Sequence, residues 1–139
     1  MPITPIDLRE KAKSLASSSE EFDLRTSIRT AYYSAYHQVC PCLMYLASST
    51  YIKHSEVGEI LADIRNMRNI KLPRLAMALG AEAELASKQY IACKEERVRA
   101  DYRLDGHVFT ADAEAQVRRV SAIFKFSVRL QTELSRSIP

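Results

Sequence analysis

The sequence predicts an all-α fold, an antiparallel bundle of four or five helices, on three grounds. Apolar residues recur in steps of three and four over long stretches, the spacing of one helix face. No stretch shows the period-two alternation of a strand. Only three glycines and five prolines occur in 139 residues, so interruptions are few. A chain of this length buries roughly two-thirds of its unfolded surface, enough for one core, so a single domain over residues 1–139 needs no disulfide or metal.

The first helix opens at Thr4 and Pro5, a capping residue before a residue suited to the first helical position, and continues through Leu8, Ala12 and Leu15. "SSSEE" at 17–21 ends it, and Ser19 is expected to cap the second helix. There Leu24, Ile28, Tyr32, Ala35 and Val39 form one apolar line. Pro41 removes a donor and crowds the carbonyl of His37, which predicts a kink or an end near Val39 to Cys42, with apolar chain continuing to Leu46. "ASSTYIKH" at 47–54 reads as a polar turn.

A shorter helix follows from Ser55 with Val57, Ile60, Leu61 and Ile64 on its inner face, and "RNMRNIKLP" interrupts it. The fourth helix runs from about Leu72 to Tyr102, with Leu75, Leu79, Ala83, Ala86, Tyr90 and Cys93 in line and Gly80 a local weak point. "LDGH" stops it. Thr110 is the expected cap of the last helix, which reaches about Ser135 on a core face of Val117, Val120, Phe124, Leu130 and Leu134.

Composition excludes several classes. No apolar run approaches the ~20 residues that span a bilayer, and the start "MPITPIDLRE" lacks a secretory pattern, so a cytoplasmic protein without membrane contact is expected. Cys40, Cys42 and Cys93 fit a reducing compartment as small buried apolar groups; "CPC" has the wrong spacing for zinc or thioredoxin chemistry, and no cofactor or metal is expected. A net charge of +3 permits nucleic-acid contact without demanding it.

The informative stretch is "ERVRADYRLDGH", residues 96–107. Extending the apolar line of the fourth helix leads to Arg97 and Asp101, charges on a face that meets other helices, which must be paired or solvated. On the second helix Arg29, Tyr33 and His37 are four apart, beside the apolar line. The architectural reading makes Arg29 and Asp101 a forked, partly buried ion pair that sets helix register and does no chemistry. The catalytic reading makes the same polar row an RNA-cleaving centre.

"RTAYYSAYH" in the second helix, "RVRADY" late in the fourth and the final opening "FTADAEAQVRRVSAIF" resemble, in order and spacing, the HEPN family of small all-helical prokaryotic domains, over about Phe22 to Leu130. The resemblance implies a helical bundle, commonly a homodimer through this face. Many members are metal-independent endoribonucleases acting as toxins or in phage and plasmid defence, often beside a minimal nucleotidyltransferase that serves as antitoxin. In active members a histidine follows an arginine after four to six residues. A neutral imidazole takes the proton of the ribose 2′-hydroxyl, and the arginine holds the phosphate.

This chain departs from that pattern. Seven residues separate Arg99 from His107, three separate Arg103 from it and nine separate Arg97 from it. Asp101 stands near where the histidine after Arg97 belongs, and an ionised carboxylate is acceptor-only and a weak base at neutral pH. Two routes to catalysis remain: His37 as base with Arg97 or Arg29 as phosphate clamp, or His107 folding back from its loop. Tyr102 lies where some family toxins carry a tyrosine that the partner transferase modifies with nucleotide; a buried ring with its hydroxyl satisfied is expected instead.

On the last helix Arg118, Lys125, Arg129 and Arg136 align on one side, where they either follow an RNA backbone or form a solvated face. Two functional expectations result. One is an RNA-directed HEPN protein of a toxin–antitoxin or defence system with ribonuclease activity. The other is a catalytically inactive adaptor or antitoxin-type module holding a nucleotidyltransferase or another protein.

Overall fold

The structure, a computed structural model, describes residues 2–64 and 73–137 and consists of five helices packed on one another: α1 (Pro5–Leu15), α2 (Glu21–Ala47), α3 (His54–Asp63), α4 (Pro73–Tyr102) and α5 (Thr110–Ser137). Among the described residues there is no strand. Side-chain pairings give the directions. Arg29 meets Asp101 and Tyr32 meets Tyr90, so α2 and α4 run antiparallel. Gln116 donates to the carbonyl of Cys93 while Arg99 approaches Asp112, so α4 and α5 are antiparallel too. Gln116 also reaches the Ile28 carbonyl and Gln38 the Ser127 hydroxyl, so α2 and α5 pack on each other and run parallel. Outside this trio, α1 packs on α2 and α5, and α3 packs on α4 and α2.

The helix starts follow local chemistry. Thr4 closes a full capping box on α1: its hydroxyl accepts from the Asp7 N–H, and Asp7 accepts from the Thr4 N–H. At α2 the outcome differs from expectation. Ser19 does not cap; Glu20 holds the N-cap position without a side-chain bond, while the Ser18 hydroxyl accepts from the Glu20 N–H and donates to Asp23. At α5, Thr110 is the first helical residue rather than the cap. The Phe109 carbonyl takes the first helical bonds, and its N–H donates to Asp112 at 2.8 Å, half of a capping box turned inward.

The predicted core lines are buried as read: Leu24, Ile28, Tyr32, Ala35 and Val39 on α2, Leu75 through Cys93 on α4, and Val120, Phe124, Leu130 and Leu134 on α5, with Val117 partly covered. Residues 96–101 of α4 sit over a smaller cluster of Ala16, Leu24, Ile28, Ala100, Val108 and Ala113, and Val117 touches both cores. All three cysteines are buried and free, and burial pushes the Cys93 thiol up to about 12.

The expected break at Val39 to Cys42 is absent. α2 passes through Pro41 and ends at Ala47, where Ser48 takes a left-handed conformation (φ 51°) and its N–H returns to Met44 and Tyr45. Pro41 is exposed, while Cys42, Leu43 and Leu46 beyond it are buried, so their packing holds the last turns helical against the local penalty. The segment 47–54 is not uniformly polar either. Ile52 is buried, its carbonyl accepting from Tyr36 at 2.6 Å, and His54 already belongs to α3. α3 lies close on α4 at Gly58, where a Cβ would stand 3.0 Å from Ile91, and Ser87 donates to the Gly58 carbonyl at 2.6 Å. α4 continues without a break through Gly80. The interruption expected at 65–72 lies outside the described residues.

Because Pro41 is exposed and carries the whole local penalty, Pro41→Ala is expected to stabilise the fold by about 1–2 kcal/mol, the helix-interior cost of proline less its restriction of the unfolded chain. Urea denaturation of the two proteins checks this, and a loss of stability would show that the proline shapes the packing of α2.

Candidate functional site

The stretch 96–107 ties α2, α4 and α5 together. Asp101 accepts from Arg29 Nε at 2.6 Å, and its other oxygen lies 3.7 Å from Arg97 Nε. The expected pairing of Arg29 with Asp101 is therefore present, with a different geometry: Nε alone makes the close contact, and Arg29 remains 46% exposed whereas Asp101 is 13% exposed. The forked pair forms elsewhere, between Arg99 and Glu96 at 3.1 and 2.9 Å. Arg99 also donates to the His107 carbonyl at 3.1 Å and lies 3.5 Å from Asp112, joining α4 to the turn and to α5.

Arg97 is 17% exposed and sits in a tyrosine cage. Its Nη2 reaches the Tyr33 hydroxyl at 3.4 Å, and its guanidinium stands 5.4, 5.6 and 5.9 Å from the rings of Tyr32, Tyr33 and Tyr102, within cation–π range. Nε is buried and has no hydrogen-bond partner among the described residues; the Asp101 carboxylate at 3.7 Å is its nearest compensation. Burial opposes the charge of Arg97, yet Tyr33, Asp101, Tyr102 and Tyr32 together raise its pKa and keep it cationic.

Arg25, which the sequence did not single out, closes the end of α4. Its Nη1 donates to the Ala100 carbonyl at 2.9 Å and the Arg103 carbonyl at 3.3 Å, and its Nη2 to that of Gly106. The Ala100 carbonyl is one of the last four of α4, which lack an intrahelical partner, the other two belong to the turn beyond it, and a cation there also meets the negative end of the helix dipole. Glu21, 3.5 Å from Arg25, accepts from the Val108 N–H at 2.7 Å, a bond that lowers its carboxyl pKa.

Histidines decide whether this cluster can act as base and clamp. His37 is exposed, its ring edge-on to Tyr36, and it makes no hydrogen bond among the described residues. His107 is exposed, its ring beside Phe109 and its carbonyl held by Arg99. Neither imidazole contacts Arg97 or Arg29. Tyr102, expected buried, is 72% exposed, because the helix ends there and its ring covers only the rim of the cage.

The third histidine, which sequence reading passed over, is the one built into the structure. His54 opens α3 with its ring stacked on Tyr36 at 3.7 Å, and its Nδ1 lies 2.6 Å from the Tyr32 hydroxyl, itself 2.9 Å from the Tyr90 hydroxyl. Burial first, then the charges of Arg97, Lys94 and His37, lowers the pKa of His54. The sequence signal was the run of tyrosines in "AYYSAY": buried phenols need hydroxyl partners, and a histidine elsewhere in the chain can supply one.

The basic row on α5 is partly neutralised. Arg129 pairs with Glu82 and Arg136 with Glu133, leaving Arg118 and Lys125 exposed without a carboxylate partner among the described residues. Among those residues no group of three or more metal-ligating side chains comes together, and no helix is long and apolar enough to cross a membrane.

Fold and site thus define an all-helical bundle with an arginine–carboxylate clasp at one end. No family model, curated protein or solved structure matches the chain.

Two outcomes follow from this geometry. Asp101→Ala is expected to destabilise the fold by about 2 kcal/mol, because Arg97 keeps a largely buried charge, whereas Arg29→Ala is expected to lose less than about 1 kcal/mol since Arg29 is half exposed. Equal losses in urea denaturation would show that Arg97 draws no support from Asp101. His54 is held neutral in the fold and takes up a proton more readily when unfolded, so stability is expected to fall as pH drops below 6.5, its unperturbed value. The decline is expected to flatten in His54→Asn, and an unchanged slope would remove His54 as its source.

Proposed function

We propose that this chain is a catalytically silent, HEPN-like binding module that pairs with a protein partner in a toxin–antitoxin or defence setting. The observation that carries this reading is the occupation of Arg97. It is caged by tyrosines and faces Asp101; neither His37 nor His107 contacts it, and His54, near enough to feel its charge, has Nδ1 engaged by the Tyr32 hydroxyl, which speaks against the base-and-clamp pair of an active ribonuclease. The neutralised half of the α5 row removes support from an extended RNA-binding face.

A surface for a partner is favoured at the end of the bundle that the clasp organises. Phe22, Tyr102, Leu104 and Phe109 are all exposed there, on α2's first turn and along the turn from α4 to α5. Large apolar side chains exposed together mark protein contact surfaces. The resemblance makes a second copy of the chain and a minimal nucleotidyltransferase the natural partners.

The test has two arms. Structured and single-stranded RNA incubated with the purified protein in chelator are expected to stay intact, and cleavage abolished by both His37→Ala and Arg97→Ala would overturn the proposal. Co-expression with the product of the adjacent gene is expected to give a stable complex that Leu104→Ser with Phe109→Ser weakens by about tenfold or more.

A further inference from the structure

Between α3 and α4 lies a half-open groove of about 430 Å³ that the clasp does not use. Tyr90, Ile91 and Val98 give it an apolar side; His54, Ser55 and Lys94 give it a polar one. What His54 offers this groove is set by the tyrosines behind it. Tyr90 is buried, and among the described residues its hydroxyl meets only that of Tyr32. If Tyr90 donates to Tyr32, and Tyr32 donates to His54 Nδ1, every buried hydroxyl hydrogen is used. The reverse order leaves the Tyr90 hydrogen buried and unpaired. Nδ1 is therefore an acceptor, and the neutral ring carries its proton on Nε2.

Nε2 lies on the ring edge turned away from Tyr32 and has no partner among the described residues. Lys94 lines the same groove, close enough for its charge to be felt at the imidazole, and no carboxylate pairs with it among the described residues. Two donors, an imidazole N–H and an ammonium, thus sit together beside an apolar wall. Glu59 and Glu95 also line the groove and balance the charges of Lys94 and Arg103. That balance favours a ligand with a single negative charge over a multiply charged phosphate.

We propose that this groove binds a small monocarboxylic acid with an apolar body, its carboxylate accepting from His54 Nε2–H and Lys94 Nζ and its hydrocarbon lying on Ile91 and Val98. The proposed contacts include none of the residues assigned to the partner surface, and the test, run on this chain alone, needs no partner.

The experiment is an NMR titration of the full chain, following the His54 ring nitrogens and the α3 and α4 amides, with hexanoate, hexanamide and inorganic phosphate as probes. Lys94→Gln is the variant, since Lys94 is partly exposed and holds nothing together among the described residues. Hexanoate is expected to give saturable shifts at His54, about tenfold weaker in Lys94→Gln and about tenfold weaker for hexanamide, the loss expected for one charge-assisted hydrogen bond. The ligand-free ring is expected to show the Nε2–H form. Absence of saturable shifts at tens of millimolar, equal binding by Lys94→Gln, equal binding of hexanamide, or phosphate binding as tightly as hexanoate would each overturn the proposal.

Discussion

Asp101 stands between two guanidiniums that come from different helices, and most of this end of the bundle is arranged around that fact. A carboxylate 13% exposed carries a desolvation cost, and so does an arginine as covered as Arg97. Each is tolerable because the other is there, with Arg29 closing the carboxylate from α2. The contact fixes rotation as well as register: α2 and α4 approach so that Arg29 and Tyr33 on one face Asp101 and Arg97 on the other. Arg25, one turn before Arg29, then reaches the carbonyls at the end of α4. The clasp and the helix cap are consecutive turns of one row.

Farther along the same two helices the polar groups change character. Tyr32 and Tyr90 are fully covered and neutral, and they hand a directional hydrogen-bond chain to His54 at the start of α3. Charge at the open end and phenols toward the middle follow the expense of each group in a low-dielectric interior. The chain also explains how a short helix is held. α3 docks through Val57, Leu61 and Ile64, through the close approach at Gly58, and through its first residue stacked on Tyr36.

An arginine can stabilise a phosphate only if its donors are free to leave their present partners. Arg97 already spends its charge on a carboxylate and on ring faces, and the acidic residue beside it is the group least suited to share a site with RNA. In the structure these residues join helices, and residue type alone does not decide between the two readings. Exposed Phe22, Leu104 and Phe109 at that end are the complementary fact: a cross-linked frame presenting apolar side chains outward.

Helical period determined much of this protein. The apolar lines of α2, α4 and α5 were legible because a side chain's face on a helix depends on its position in the chain alone, and the charges that break those lines at Arg29, Arg97 and Asp101 stood out for the same reason. Where a feature depended on what lay across the interface, the sequence was silent. Pro41 reads as a break until Leu43 and Leu46 are seen buried beyond it. Arg25 went unnoticed because its partners are backbone carbonyls, which no residue letter marks. His54 lay in an apparent turn, and only the folding of α3 against α2 brought its ring to Tyr32 and Tyr36. Periodicity is a property of one helix; which donor meets which acceptor is a property of two, and the tertiary structure alone sets the rotation and distance between them.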